Sequence, residues 1–334
     1  MRAIVIKQYG GPEQLAVEER PAPEPRPGHV VIEVKVFGLN HAEIYFRKGA
    51  WGDVAEISGI ECVGVVKADP DGRFLPGEKV MALVGGMGRT IGGSYAELTR
   101  VPRANVVAIK TELRWEALAA IPESYATAWT ALYGNLGLSA RQTIVVRAAT
   151  SALGQAAVNI ARYAGAYVIA TTRDANRVAM LDSLGAREVL LESQTLSKGL
   201  RERHPRGVDA VLDIIGNTTV LDSLAMLRRD GRVCLVGFLG GDGPLTLEPV
   251  FQMPSGTHLS VFASALVTGT PEFALSEIPF QTIVDRVADG TYKAKPAKVF
   301  RFEDIREAHR LMESNQAGGK IVVQLEPRRR SGFA

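Results

Sequence analysis

IVVRAATSALGQAAVNIARYAGA, residues 144–166, decides the fold: a short β-branched strand gives way to a turn of small residues and then to a helix of small and apolar ones. Such a turn lets the main chain approach a dinucleotide pyrophosphate while free N–H groups at a helix N-terminus face the negative charge. Where the usual fingerprint has three glycines only Gly154 is present, and Ala149, Thr150, Ser151 and Ala152 fill the rest. Alone the turn is a weak signal, so its meaning depends on the chain around it.

Downstream, apolar runs that read as strands at 168–171, 189–191, 210–214, 233–236 and 259–263 alternate with helical patterns at 154–164, 176–184, 196–203 and 219–228. This alternation predicts βαβ units and a doubly wound parallel sheet, with the turn after its first strand, where such sheets bind ligands. Upstream, strand signals at 3–6, 29–36, 63–66 and 79–83 are separated by Pro and Gly, helical evidence is sparse until residues 118–132, and PAPEPRP (21–27) reads as an extended surface connector. Helices at 280–288 and 303–314 and a closing strand at 320–325 complete the reading, and no internal repeat is found.

The chain has 334 residues, 46% hydrophobic and 22% charged, which suits two globular domains. It has no apolar run of membrane-spanning length and its N-terminus lacks a signal-peptide core, so the expectation is a cytoplasmic protein with no membrane partner. Cys62 and Cys234 lie far apart and predict buried small hydrophobes, with neither a disulfide framework nor a cysteine-rich zinc lobe. A net charge of +3 argues against a polyanionic partner, and Arg328, Arg329 and Arg330 read as a solvated tail.

The second strand of the alternating region ends Thr171-Thr172-Arg173, with Arg177 close behind. An acidic residue there accepts from a ribose 2′-hydroxyl, whereas guanidinium groups suit a 2′-phosphate, which favours NADP(H) over NAD(H). Asp174 is the counterweight, able either to cap the next helix or to bond a ribose.

At this point the chain resembles the medium-chain dehydrogenase/reductase superfamily, nearest its zinc-independent quinone oxidoreductase branch. The matching blocks are GLNHAEIYFRKG (38–49), GIECVGVV (59–66), PGEKVMAL (76–83), GGSYAELTRVP (92–102), the turn itself, GVDAVLDIIGNTTVLDSLAMLRRDGRVCLVGFLGG (207–241) and FRFEDIREAHRLMESNQAGGKIVV (300–323). The resemblance implies a Rossmann domain at 121–264 inserted into a β-rich, chaperonin-10-like catalytic domain formed by 1–120 and 265–334, with the site in the cleft where they meet.

Zinc-dependent relatives place metal ligands where this chain has Asn40, Ile60 and a residue near Glu123; two of the three are lost, which implies chemistry without zinc. Glu43, Glu61 and Glu123 could gather there, but an all-carboxylate zinc site is poor chemistry, and His41, as the strand or loop neighbour of Asn40, is expected to point away from the site. The resemblance assigns Asn40, Tyr45 and Tyr125 to the acceptor side, with packing equally open for Tyr45 and a nicotinamide or backbone bond for Asn40. It assigns Thr127, Thr150, Ser151, Ala152, Leu153, Gly154, Thr172, Arg173, Arg177, Gly216, Asn217, Gly237, Phe238, Asn315 and Lys320 to cofactor binding. For Lys320 a surface charge is equally open. Glu192, after the third strand, stands where relatives carry a tyrosine near the adenosine 2′-phosphate; either it turns outward or NADP(H) selectivity is weaker than Arg173 and Arg177 suggest. The expected activity is NADPH-dependent hydride transfer to a quinone or an α,β-unsaturated carbonyl, by a homodimer. The alternatives are a non-catalytic NADPH-binding protein, structural or nucleic-acid-binding, and an alcohol dehydrogenase with an atypical metal site.

Overall fold

In a computed structural model, which describes residues 1–241 and 243–326, the chain forms two compact units. The first comprises Met1–Glu123, Ala265–Ala288 and the chain from Lys295 on; the second comprises Ser124–Ser264 and the short segment Asp289–Ala294. The arginine run at 328–330 lies outside the described residues.

Seven strands precede the turn: β1 (Arg2–Ile6), β2 (Leu15–Glu19), β3 (His29–Gly38), β4 (Glu61–Ala68), β5 (Lys79–Leu83), β6 (Leu98–Pro102) and β7 (Val106–Ala108). Six form the second unit's sheet: β8 (Thr143–Arg147), β9 (Tyr167–Thr172), β10 (Glu188–Leu191), β11 (Val208–Asp213), β12 (Leu227–Leu235) and β13 (His258–Val261). The last two are β14 (Lys298–Arg301) and β15 (Ile321–Gln324).

The first unit carries a mixed sheet ordered β14-β15-β3-β4-β5-β7, with β6 on β3 and a separate β1-β2 hairpin. Alternation along β3 places Val30, Ile32 and Val34, and past a register shift Phe37, in a core shared with Tyr95, Phe302 and Ile321. A helix at His41–Lys48 follows β3 directly; Asn40 caps it and Gly49 ends it at φ 71°. The fully buried Arg47 ties this helix down, bonding Glu313 and the Gly10 carbonyl.

The second unit's sheet runs β10-β9-β8-β11-β12-β13, every pair parallel. Reversal of order on either side of β8 is the doubly wound pattern, and it opens a crevice at the carboxyl ends of β8 and β11. The helix Ala152–Tyr163 packs back on the sheet through Ala156, Ala157, Val158 and Ile160. Gly154 makes this possible: a Cβ there would lie 2.6 Å from both the Ala148 oxygen and the Ala149 Cα.

Several elements depart from the sequence reading. The helix expected at 118–132 is broken into Trp115–Leu118 and Pro122–Trp129, followed by a wider turn at Thr130–Asn135. Pro122 cannot continue a helix from residue 121, but it starts a new one well. The helix expected to 228 stops at Ala225 because β12 begins at Leu227. The helix His41–Lys48 and strands β2, β6, β7 and β14 carry too little periodicity to be read from sequence.

The contact under Gly154 is directly testable. Gly154→Ala should lower unfolding free energy by about 1–3 kcal/mol, because its crowding partners are main-chain atoms that cannot rotate away. Thermal denaturation measures this, and an unchanged midpoint would show that the helix can lift from the sheet at no cost.

Candidate functional site

In the second unit the turn after β8 is fixed at both ends. Ala148 adopts φ 57°; its N–H donates to Thr171 Oγ1 at 3.1 Å, and the Ala149 N–H donates to the Thr171 carbonyl at 3.0 Å. Ser151 caps the following helix, its Oγ accepting from the Gly154 N–H at 3.0 Å. The N–H groups of Ala152 and Leu153, at the first two helical positions, then have no carbonyl within the helix to reach, which is how helix N-termini receive anions. Thr150 engages through its carbonyl, which accepts from Gln155 Nε2 at 2.9 Å.

At the end of β9 the buried Thr172 accepts at Oγ1 from the Asp174 N–H, 3.1 Å. Asp174 accepts from the Asn176 N–H at 3.0 Å and pairs with Arg177 Nε at 3.4 Å, so of its two sequence-level roles the structure shows the cap. Arg177, expected in the first turn of a helix from 176, stands instead on a tight turn, Ala175–Arg177, just before the helix Val178–Leu184, and Arg173 is exposed.

Glu192 faces inward. Its carboxylate accepts from Thr171 Oγ1 at 2.7 Å and pairs with the fully buried Arg147. Sequence reasoning passed over Arg147, although a charged residue closing the apolar run IVV is the available signal. Beyond β11, Asp213 accepts from the Ile215 and Gly216 N–H groups at 2.9 and 3.0 Å, shaping the turn that carries Asn217. Gly216 has φ 104° and a Cβ on it would lie 2.7 Å from the Gly237 oxygen, so the turns after β11 and β12, the latter continuing to Phe238, press together.

Thr127 and Tyr125 lie on the helix Pro122–Trp129 and are each 2% exposed. Tyr125 stacks on Tyr292 at 5.8 Å and its hydroxyl accepts from Asn159 Nδ2 at 3.0 Å; burial pushes the phenol far above its usual range. Tyr125 thus packs within the second unit's core, against the segment Asp289–Ala294.

In the first unit the structure gathers Asn40, Glu43, Glu61 and Lys320. Lys320 is 3% exposed and is neither a surface charge nor open to a ligand: its Nζ donates to Glu61 and, at 2.6 Å, to Asn40 Oδ1. Asn40 Nδ2 donates to Glu61 Oε1 at 2.9 Å and faces Glu43 Oε1 at 3.4 Å, so the amide hydrogens expected to serve an acceptor are directed at carboxylates. Glu43 also accepts from the Asn40 and Ile60 N–H groups at 2.8 and 3.1 Å. Glu61 Oε2 accepts from the Glu123 N–H at 2.8 Å, which brings in the main chain of Glu123.

His41 opens a helix, not a strand or loop, and its Nε2 lies 3.2 Å from Asn315 Oδ1. Tyr45, on the same helix, stacks on Trp51 at 5.1 Å. Ile60 is 2% exposed, packed with Ala42 and Phe46. Asn40 and Ile60 offer a cation one committed amide and one alkyl group, and among the described residues no cluster of His, Cys, Asp or Glu is arranged to hold a metal ion. Both cysteines are free and buried.

Two family models match the chain: an alcohol dehydrogenase GroES-like domain over residues 26–111 and a zinc-binding dehydrogenase over residues 152–278. The quinone oxidoreductase of Lama guanicoe is 27% identical over 98% of this chain and 98% of its own, and the human one is 26% identical over 97% and 98%. Among solved structures, an NAD-dependent alcohol dehydrogenase is 30% identical with a TM-score of 0.81, covering 98% of this chain and 100% of that one. A mycobacterial protein complexed with NADPH superposes with a TM-score of 0.86 at 24% identity, covering 97% and 99%.

Two predictions follow from the buried charges. Lys320→Met should remove about 3–5 kcal/mol of stability by stranding Glu61, and adding Glu61→Gln should recover most of it; denaturant titration of both variants decides, and a loss under about 1 kcal/mol would show that water reaches the pair. Burial raises the Glu43 carboxyl from 4.5 to about 7. The folded chain therefore keeps a proton that the unfolded chain loses, so this stabilisation is complete below pH 4.5 and fades as pH rises through about 7. Glu43→Gln should flatten that part of the stability profile, and an unaltered slope would assign it to other groups.

Proposed function

The chain belongs to the medium-chain dehydrogenase/reductase superfamily, in its quinone oxidoreductase branch, and on that premise we propose that it transfers hydride from NADPH to a quinone or an α,β-unsaturated carbonyl without zinc. The observation that carries this reading is the donor set in the first unit: Ile60 is alkyl and buried, and the Asn40 amide is held by Glu61 and Lys320. These residues do not suit zinc, which takes nitrogen, sulfur or carboxylate ligands at a catalytic centre. An acceptor activated by hydrogen bonds alone must be one whose reduction delocalises charge, as conjugated carbonyls and quinones do.

When bound, the reduced nicotinamide supplies the hydride. This chain's residues do the holding: the Ala152 and Leu153 N–H groups and the Ser151 hydroxyl hydrogen would receive the pyrophosphate. Thr172, Arg173 and Arg177 would receive the ribose phosphate, with Thr150 and the turns of Gly216, Asn217, Gly237 and Phe238 beside them. Thr127 would serve the nicotinamide end, and Tyr45 remains the donor for the acceptor. Asn40, Lys320 and Asn315 act in this reading by ordering the helix that carries Tyr45. Glu192 stays at the second strand's end, its carboxylate bonded to Thr171 and paired with Arg147, so the choice of NADPH over NADH rests in this reading on Arg173 and Arg177.

The chain is further proposed to pair as a homodimer along the edge strand β13, beside which Val250 and Phe251 are each 86% exposed. No described helix is long and apolar enough to cross a membrane, and the cytoplasmic setting stays a proposal.

Loss of NADPH absorbance with 1,4-benzoquinone, 9,10-phenanthrenequinone or an enone panel tests the activity. Tight NADPH binding without turnover would favour a binding protein, and activity lost to chelator would favour a metal-dependent alcohol dehydrogenase. Arg173→Ala should raise the KM for NADPH about tenfold or more while barely moving that for NADH; an equal effect on both removes the phosphate assignment. Ser151→Asp keeps a good helix cap but sets a carboxylate against the pyrophosphate, so it should hold the melting temperature and abolish dinucleotide binding. Retained binding would place the pyrophosphate elsewhere.

A further inference from the structure

Arg147 is fully buried at the end of β8, and a buried charge is tolerated only when well paired. Its Nη1 donates to the Thr219 carbonyl (3.1 Å), Asp222 Oδ2 (3.0 Å) and Ser223 Oγ (3.0 Å); its Nη2 donates to the Ser193 carbonyl (3.1 Å) and to Glu192. Glu192 Oε2 in turn accepts from Thr171 Oγ1 at 2.7 Å. A hydroxyl has one hydrogen. Once that hydrogen is committed to Glu192, the Thr171 oxygen is left as an acceptor, and the group it meets is the Ala148 N–H at 3.1 Å.

Ala148 needs this support. It is a residue with a Cβ held at φ 57°, a left-handed conformation that costs an L-residue about 1–2 kcal/mol. Its carbonyl is also pressed from the other side by Gly154. The conformation of Ala148 sets the direction in which the chain enters the cap at Ser151, and so where the N–H groups of Ala152 and Leu153 point.

We propose that Arg147, Glu192 and Thr171 form a positioning ladder that orients the Thr171 hydroxyl and thereby holds the dinucleotide-binding turn, so that affinity for both nicotinamide dinucleotides depends on it while the choice between them does not. The proposal rests on the reading that this turn receives the cofactor's pyrophosphate. The three are positioning residues: each acts through the next, and the last through a main-chain N–H.

The test is titration of the full-length protein with NADPH and with NADH, in the parent and in Thr171→Val, Thr171→Ser and Glu192→Gln. Thr171→Val should raise both dissociation constants about three- to tenfold, with their ratio unchanged, as expected for the loss of one hydrogen bond. Thr171→Ser, which keeps the hydroxyl, should restore both, a rescue that simple packing at this position would not give. Glu192→Gln should weaken both in the same proportion and by less, and it carries the test if Thr171→Val fails to fold. Parent-like binding by Thr171→Val overturns the ladder. So does a Glu192→Gln variant that gains affinity for NADPH alone, since Glu192 would then face the ribose phosphate. A parent protein that binds neither dinucleotide overturns the underlying reading instead.

Discussion

Main-chain atoms of Ala148 and Ala149 lie where a strand, a neighbouring strand and a helix converge, and that crowding is the constraint on which the second unit depends. On one side Thr171 takes both of their N–H groups; on the other Gly154 leaves no room for a Cβ. The helix can therefore begin only where Ser151 begins it, with its first N–H groups at the carboxyl end of β8. Strand order does the rest, since β9 and β11 depart to opposite sides of β8 and open the crevice there. Ala149 and Ser151, where the first two glycines would stand, need no left-handed backbone here, since the positive φ of the turn falls on Ala148; the third glycine, Gly154, is required because its role is steric.

The first unit reaches order by a different route. Glu43, Glu61 and Lys320 are buried together with one more carboxylate than ammonium, an arrangement that apolar residues of similar volume would often match or exceed in stability. What the charges add is direction. An asparagine amide between a lysine and a glutamate can sit only one way round, oxygen toward Nζ and nitrogen toward the carboxylate. The helix that Asn40 starts is thus pinned at its beginning by this group and near its end by Arg47 with Glu313.

Periodicity and turn chemistry made the second unit legible: the six parallel strands and the helices between them follow from alternating apolar runs, and most boundaries fall within a few residues of those observed. In the first unit, pattern supplied β1, β3, β4, β5, β15 and the helices Phe280–Ala288 and Ile305–Glu313, while its overall architecture came from family likeness. Its short strands β6 and β7 depend on cross-strand partners, β3 and β5, that lie well back in sequence, and the helix His41–Lys48 has only eight residues and a buried arginine near its end. Site residues divided in the same way. Ser151, Gly154 and Asp174 show their local roles in their immediate neighbours, whereas Lys320 meets Glu61 across 259 residues and Arg147 meets Glu192 across 45. The burial of Tyr125 was not legible because its partner, Tyr292, arrives from a segment that belongs to the second unit although the chain on both sides of it belongs to the first.

The strand order of the first unit has a consequence for how the protein is made. β15 lies between β14 and β3, so an interior strand of that sheet is the last made of the described strands, long after its neighbour β3. All six strands of the second sheet are synthesised before it and pair only with one another. Domains generally fold as units during synthesis. The second sheet can thus close while the first still waits with Val36–Gly38 of β3 unpaired beside β6, and that short stretch is the surface a nascent-chain chaperone would have to guard.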